Sequence, residues 1–117
     1  MGICLLNAYV NGANERAVRD VLLTSVPDLY VSISSEVAPQ IREYPRAATT
    51  ALNAYTRPIT EPSLARLSTE LADRGFGSQP LIMMSNGGVL STETASEFPV
   101  RMMESGPAAG ALVASYY

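Results

Sequence analysis

Short apolar runs bounded by turn residues alternate in this chain with segments whose apolar residues recur at helical spacing. The run over residues 3–10 ends at an Asn-Gly pair and predicts a buried strand followed by a turn. Asn11 or Asn14 then caps a predicted helix that ends near Val26, with an apolar face formed by Ala17, Val18, Val21 and Leu22. Apolar and polar side chains alternate over residues 29–34, which is typical of a strand with one buried face. The order strand, helix, strand favours an α/β fold.

The rest of the chain continues this alternation. After a loop over residues 35–44, Pro45 begins a predicted helix that Arg57-Pro58 ends. A second helix starts at Thr60 and ends at Gly75, with Phe76 placed to contact Leu71 as in a Schellman motif. The remaining predicted elements are a strand over 80–84, a short helix over 91–97 that Ser91 caps, and a helix from 106 onward.

Composition excludes several classes of function. The net charge is −3, and all eight basic side chains are arginines scattered along the chain, which argues against nucleic-acid binding. Because the chain has no histidine and one cysteine, Cys4, no metal site is expected and Cys4 is interpreted as a buried small side chain in a reducing compartment. No run is long and apolar enough to span a bilayer and no signal-peptide pattern is present, so we expect a cytoplasmic location without membrane partners.

The turn formed by Ser85, Asn86, Gly87 and Gly88 follows the strand predicted over residues 80–84. Backbone N–H groups at such a turn can face a ligand, because glycine allows close approach and positive φ. Asn-Gly is equally an ordinary signal for a tight turn. The residues alone leave both interpretations open.

Three glutamates lie next to candidate loops, namely Glu36, Glu43 and Glu104. A glutamate after a strand, as Glu36 is, stands where α/β sheets place their ligand contacts, and two such groups could share acid and base work. A solvated surface charge or an arginine partner explains each of them as well. Ser105 lacks the histidine that would activate it as a nucleophile, so it is interpreted as a helix cap.

The final predicted helix, over residues 106–117, consists largely of alanine, glycine and serine. Such side chains let another backbone come close, and Gly110 inside the helix costs about 1 kcal/mol relative to alanine, so a close helix crossing or a hinge would compensate. The hinge candidates are Ser105, Gly106, Pro107 and Gly110; the alternative is a plain buried helix. Because neither end of the chain carries a terminating signal, we expect it to be an internal fragment of a longer protein.

Several blocks of sequence together resemble the A-type subunits of the hydantoinase/oxoprolinase family, such as hydantoin utilization protein A and N-methylhydantoinase A. The resemblance covers essentially the whole chain, and the blocks follow one another in the family's order. They are Ser34-Ser35-Glu36-Val37-Ala38-Pro39, Arg42-Glu43-Tyr44-Pro45-Arg46, Thr49-Thr50-Ala51-Leu52-Asn53-Ala54-Tyr55, Met84-Ser85-Asn86-Gly87-Gly88-Val89, Pro99-Val100-Arg101 and Glu104-Ser105-Gly106-Pro107-Ala108-Ala109-Gly110.

The resemblance implies a strand-helix alternating α/β fragment of an actin/Hsp70/sugar-kinase-like (ribonuclease H-like) lobe, with residues 1–117 as one excised domain. The helix over 106–117 would connect two lobes, and no catalytic residue is carried over. Family phosphate loops are missing from the sequence, so ATP and a divalent metal (Mg²⁺) are expected in the full-length protein and not on this fragment. The expected cleft residues, for substrate or nucleotide, are Ser85, Asn86, Gly87, Gly88, Glu36, Asn53 and Arg101.

The function implied for the parent is ATP-dependent ring opening of a small cyclic amide, such as a hydantoin or 5-oxoproline, with a B-type hydantoinase subunit as partner. The fragment alone is expected to be inactive. Two alternatives stay open: a subunit of an ATP-dependent ketone carboxylase from the same family, and a non-catalytic α/β interaction module.

Overall fold

Two short strands pair in parallel at the start of the chain in a computed structural model that describes residues 1–116. Strand β1 (Gly2–Ile3) lies beside β2 (Ser32–Ile33), with Ile3 opposite Ile33, and helix α1 (Ala13–Ser25) connects them. Ile3, Val31 and Ile33 form a small buried core, on which leucines 22, 23 and 29 pack. The predicted order strand, helix, strand is confirmed.

Both strands are shorter than predicted. The expected strand over residues 3–10 stops because side chains, not a neighbouring strand, take the next backbone groups: Glu15 accepts from the Leu5 N–H, and Arg46 donates to the Leu5 carbonyl. The chain then turns, with Asn7 at φ 55°, a left-handed conformation that asparagine tolerates. Leu6 and Val10 point to solvent, with 79% and 74% of their surface exposed.

Helix α1 buries a different face from the predicted one. Gly12 and not an asparagine is its N-cap, although Asn11 Oδ1 accepts from the Ala13 N–H at 3.0 Å. Val18 and Val21 are exposed, whereas Glu15 is fully buried. Directly after β2, the four-residue helix α2 (Ser34–Val37) replaces part of the predicted loop.

A single helix, α3 (Glu43–Asp73), replaces the two helices predicted over 45–57 and 60–75. Pro58 and Pro62 each remove one helical hydrogen bond, yet both are exposed and lie off a continuous face that is buried or half-buried. Because residues on this face recur every three or four positions across both prolines, packing along it outweighs the prolines' effect. The face consists of Arg46, Thr50, Asn53, Arg57, Thr60, Leu64, Ser68 and Leu71.

Helix α3 ends as the sequence predicts. Gly75 has φ 88°, its N–H donates to the Ala72 carbonyl, and the Phe76 N–H donates to the Leu71 carbonyl. These two bonds define a Schellman motif, in which only glycine adopts the left-handed conformation without strain.

The strand predicted over 80–84 is one arm of a hairpin. Strand β3 (Leu81–Met83) pairs antiparallel with β4 (Val89–Ser91), which the sequence analysis missed, and Ile82 lies opposite Leu90. Ser91 then caps α4 (Thr92–Glu97) by accepting from the Thr94 N–H, as predicted. A 3₁₀ helix (Pro99–Met102) and helix α5 (Ser105–Ser115) follow; Tyr117 of the helix predicted over 106–117 lies outside the described residues.

The chain falls into two compact units, Met1–Pro58 and Ile59–Tyr117. The first contains the parallel strand pair and the second contains the hairpin. The α/β class predicted from the sequence is confirmed, while the expectation that 1–117 belong to a single domain stays a prediction. No helix within residues 1–116 has the length and hydropathy required to cross a bilayer.

Gly12 provides a test of the packing between α1 and the segment after β2. A Cβ added at Gly12 would lie 2.4 Å from Ser35 Oγ and 2.7 Å from Ser35 Cβ. We expect Gly12→Ala to lower the free energy of unfolding in urea by about 1–3 kcal/mol. Gly77→Ala is the matched control, because a Cβ there would meet no atom within 4 Å. Equal stability of the two variants would contradict this packing.

Candidate functional site

A buried carboxylate joins the carboxyl ends of the two parallel strands. Glu15, from the first turn of α1, accepts through Oε1 from the Leu5 N–H at 2.8 Å and from Ser34 Oγ at 2.6 Å. Its Oε2 accepts from the Ser35 N–H at 2.8 Å. Leu5 follows β1 and Ser34 follows β2, so Glu15 lies where α/β sheets commonly bind ligands. The chain occupies this position with its own side chain.

The hydrogen bonds around Glu15 determine its charge. Burial is the largest single influence on this carboxyl group and by itself raises the pKa. The bonds donated by Ser34 Oγ and by the backbone N–H groups of Leu5 and Ser35 act together in the other direction and outweigh burial. The pKa of Glu15 is therefore lower than its ordinary value of 4.5, and the carboxylate is ionised at neutral pH.

A buried guanidinium, that of Arg46, bonds to Leu5, the residue whose N–H donates to Glu15. Arg46, in the first turn of α3, is fully buried and donates from Nη2 to the Leu5 carbonyl at 2.5 Å. Its guanidinium lies 5.5 Å from the centre of the Tyr9 ring, a cation–π distance. Both polar backbone groups of Leu5 are thus held by charged side chains.

The inward face of α3 continues with polar groups that contact the strands and one another. Thr50 Oγ1 donates to the Arg46 carbonyl at 2.7 Å, and Asn53 Nδ2 donates to Ser32 Oγ at 3.0 Å. One turn further, Arg57 Nη1 donates to the Val31 carbonyl at 3.2 Å. Asn53 is fully buried. The structure therefore places this expected cleft residue inside the first unit, bonded to β2.

Two of the three candidate glutamates have structural neighbours that explain them. Glu36 accepts from Arg19 Nη1 through both oxygens, at 3.0 and 2.9 Å, which corresponds to the arginine-partner alternative. Glu104 is the N-cap of α5, and its N–H donates to Ser85 Oγ. Glu43 is exposed at the first position of α3. A shared acid and base role for these residues stays a prediction.

The Ser85–Gly88 turn joins β3 to β4 and uses its own backbone donors. The N–H of Ser85 donates to the Arg101 carbonyl, that of Gly87 to the Met84 carbonyl, and that of Gly88 to Asn86 Oδ1. Because these three donors have acceptors, they are not directed at an anion. The exposed side chains of Ser85 and Asn86 are what the turn can offer a ligand. Its place in a cleft stays a prediction.

Arg101 and the start of α5 lie close to this turn. The Arg101 carbonyl accepts from Ser85, while its guanidinium stacks 4.3 Å from the centre of the Phe98 ring. Helix α5 begins at Ser105 with Glu104 as N-cap, so the interpretation of Ser105 as the cap is wrong; Pro107 lies in the first turn, where no N–H partner is needed. A Cβ at Gly106 or Gly110 would meet no atom within 4 Å. The hinge role of these residues stays a prediction.

The structure brings Ser85, Arg101 and Glu104 together in the second unit, while Glu36 and Asn53 lie in the first, each with different partners. Residues 1–116 contain no group of three or more metal-ligating side chains. The sequence analysis missed Glu15, and it quoted Arg46 only as part of a block. The available signal was that Glu15, Arg19 and Leu22 recur at helical spacing, which indicates a charged residue on the inward face of α1.

Comparison with known proteins gives this fold a family. The profile of the hydantoinase/oxoprolinase family matches residues 46–117. The chain belongs to that family. It is 34% identical to an uncharacterized protein of Methanocaldococcus jannaschii over 98% of its length, and 33% identical to caprolactamase subunit alpha of Pseudomonas jessenii over 84%. The predicted family is confirmed.

A solved structure supports the same assignment. Nucleotide-free acetone carboxylase, described in work on ATP-dependent acetone carboxylation, matches 98% of the chain with a TM-score of 0.83 at 33% identity. The chain spans 17% of the M. jannaschii relative, 14% of the caprolactamase subunit and 16% of the acetone carboxylase chain. The chain thus corresponds to a small part of these proteins. One of these relatives is a caprolactamase subunit and another is an acetone carboxylase.

The lowered pKa of Glu15 predicts how stability depends on pH. A group whose pKa is depressed by folding stabilises the protein above its unfolded pKa, and this contribution is lost as pH falls through the folded value. We expect Glu15→Gln to lower the free energy of unfolding by roughly 2–4 kcal/mol at pH 7, because a buried acceptor is replaced by a donor. The difference from wild type should shrink as pH falls below 4.5. Glu70→Gln, at an exposed ion pair, is the control, and a pH-independent difference for Glu15→Gln would contradict the assignment.

Two glycines predict stability changes of opposite sign. Gly87 has φ 85°, and a Cβ there would lie 2.9 Å from Leu112 Cδ1, so Gly87→Ala should lower the free energy of unfolding by about 1–2 kcal/mol.

Gly110 lies inside α5, where a Cβ would meet no atom within 4 Å, so Gly110→Ala should raise the free energy of unfolding by up to about 1 kcal/mol. Thermal unfolding measures both. Destabilisation by Gly110→Ala would show that another segment packs against this glycine.

Proposed function

We propose that the protein carrying this chain is an ATP-dependent hydrolase that opens small cyclic amides, with hydantoins, 5-oxoproline and caprolactam-like rings as the substrate class. The observation that carries the proposal is the family match over residues 46–117, supported by the similarity to a caprolactamase subunit. ATP would activate the amide carbonyl by phosphorylating its oxygen, after which water opens the ring. Hydantoin utilization and N-methylhydantoinase A activity are specific forms of this proposal.

A second candidate is a subunit of an ATP-dependent ketone carboxylase. The similarity of the structure to acetone carboxylase favours it, because the match covers nearly the whole chain at the same level of identity. Both candidates would use ATP at a carbonyl oxygen, but they differ in the bond that forms next. In the hydrolase water attacks the amide carbonyl carbon, whereas in the carboxylase the α-carbon of the ketone loses a proton and attacks the carbon of the carboxyl donor. A non-catalytic interaction module is the outcome if neither activity is found.

Within residues 1–116, the glycine turn and the acidic side chains provide no obvious anchor for ATP or a divalent metal. Three backbone donors of the glycine turn have acceptors within the second unit, and residues 1–116 hold no cluster of metal ligands. We therefore assign no catalytic step to them. In this proposal Mg²⁺ and ATP belong to the whole protein, as part of an actin-like, two-lobed fold in which α5 is the connecting helix and residues 105, 106, 107 and 110 lie at the hinge.

The proposal includes a partner subunit. The caprolactamase relative is named as the alpha subunit of its enzyme, which supports a multi-subunit assembly here as well. A B-type hydantoinase subunit is the proposed partner, and the cytoplasm is the proposed location. The small cyclic amide is the proposed ligand. The residues proposed to contact substrate or nucleotide are the Ser85–Gly88 turn and Arg101 in the second unit, and Glu36 and Asn53 in the first.

The direct experiment measures ATP-dependent turnover by the whole protein together with its partner subunit. Hydantoin, 5-oxoproline and caprolactam are tested for ring-opened product, and acetone with bicarbonate is tested for a carboxylated product. ATP-dependent ring opening supports the main proposal, and ATP-dependent carboxylation supports the second candidate instead. Absence of both reactions in a folded assembly would overturn both.

The role of the glycine turn is tested by Asn86→Ala, which we expect to lower kcat/KM by about tenfold through loss of a ligand-facing side chain. Asn86→Asp keeps the oxygen that accepts from Gly88 and therefore separates loss of the turn from loss of the amide. Asn14→Ala, the same change at an exposed position of α1, is the matched control. Wild-type kinetics for Asn86→Ala would remove the turn from the site.

A further inference from the structure

Arg46 is a buried cation whose hydrogen-bonding capacity is only partly used. Its side chain is fully buried, and Nη2 donates to the Leu5 carbonyl. Within residues 1–116, Nε and Nη1 are buried and meet no hydrogen-bond acceptor. A buried, unpaired polar group is costly, and a charged one more so. The contact with the Tyr9 ring offsets part of this cost without supplying an acceptor oxygen.

The nearby carboxylate does not neutralise Arg46. Glu15 is directed at three other donors, namely the Leu5 N–H, Ser34 Oγ and the Ser35 N–H. Among the ion pairs of the described residues, none includes Arg46. The guanidinium and the carboxylate are connected only through the backbone of Leu5. The first unit therefore holds a buried positive charge with free donors and no anionic partner of its own.

We propose that Arg46 is a carboxylate-binding residue, which takes up a ligand carboxylate beside the carboxyl end of β1. A guanidinium presents parallel N–H donors that match the two oxygens of a carboxylate. One oxygen of the ligand carboxylate replaces the Leu5 carbonyl as the acceptor for Nη2. The other oxygen accepts from Nε or Nη1, which have no acceptor in the structure. The Tyr9 ring packs against the guanidinium without supplying a negative charge, so the positive charge of Arg46 can still attract an anionic ligand.

The segment that covers Arg46 is built to exchange in this way. Residues 5–10 form no strand; besides the Leu5 bonds to Glu15 and Arg46, two internal bonds hold them, from Ala8 to Leu5 at 3.3 Å and from Val10 to Asn7 at 3.0 Å. The side chains at positions 6 and 10 are largely exposed, so displacing the segment uncovers mainly Ala8, which is buried. A groove of about 440 Å³ is lined by small residues that include Cys4 and Ala47, the sequence neighbours of Leu5 and Arg46.

The choice of a carboxylate over another oxyanion rests on the proposed function. Hydrolysis of a cyclic amide breaks the C–N bond and adds water, which leaves an amine and a carboxylate. Carboxylation of a ketone forms a C–C bond to the carbon of bicarbonate and likewise leaves a carboxylate. Both candidate reactions therefore deliver the same anionic group, and one arginine with two free donors suits it.

The test measures acetate binding to the whole assembly by calorimetry, with inorganic phosphate as the second probe. Arg46→Lys keeps the charge but loses the planar pair of donors, so we expect acetate affinity to fall by about tenfold or more. Arg66→Gln is the matched control, because Arg66 is on the same helix with its side chain 78% exposed. Arg46→Lys should also raise KM for a carboxylate-bearing substrate more than it lowers kcat.

Arg46-dependent binding of acetate supports the inference. Binding of phosphate but not acetate overturns the carboxylate assignment, and wild-type acetate affinity in Arg46→Lys overturns the role of Arg46. If that variant fails to fold, a crystal structure of the wild-type assembly in acetate decides: acetate on the guanidinium supports the inference, and an ordered water in its place overturns it. Two results separate this inference from the proposed function. Acetate binding that depends on Arg46, in an assembly without turnover, would count against the proposed function alone. Normal turnover together with wild-type acetate affinity in Arg46→Lys would count against this inference alone.

Discussion

The hydrogen bonds of Glu15 hold together the part of the molecule on which the rest of the first unit depends. A strand pair of two residues each gains little from its own ladder. The carboxylate adds three bonds, one to the segment after β1 and two to the segment after β2. Because a carboxylate with three donors is stabilised as an anion, these bonds lower its pKa despite burial. The position of the two strand ends therefore depends on one side chain from α1.

Helix α3 completes this arrangement with an unusual inward face. In its first half three polar residues donate hydrogen bonds to β2 and to the segments next to the strands: Arg46 to Leu5, Asn53 to Ser32 and Arg57 to Val31. Hydrogen bonds of this kind depend on direction, so they constrain the helix relative to the strands more narrowly than apolar contacts would. The same buried face continues past Pro58 and Pro62, which explains why two prolines do not break the helix.

The sequence correctly predicted the features that depend on residues close together in the chain, namely helix endings, helix caps and turns. The Schellman ending at Gly75, the cap at Ser91 and the turn after β3 follow from backbone conformation and the nearest side chains, and all three are present. The predicted α/β class and family are confirmed as well. The strand lengths, the break in α3 and the buried face of α1 were predicted incorrectly, because each depends on groups far apart in sequence. Strand β1 ends at Ile3, and the N–H and carbonyl of Leu5 bond to Glu15 and Arg46, which belong to two different helices.

For this protein the linear order of residues was enough to establish the alternation of strands and helices, the helix and turn signals, and membership in the hydantoinase/oxoprolinase family. At that level the glycine turn could be either a ligand loop or an ordinary tight turn. In the structure three of its N–H groups donate to acceptors in the hairpin and in the 3₁₀ helix that follows α4. Folding alone revealed that Glu15 is satisfied and that Arg46 is not. The reason is physical: periodicity reports which face of an element is apolar, whereas a buried charge is understood only from the partners that other elements bring to it.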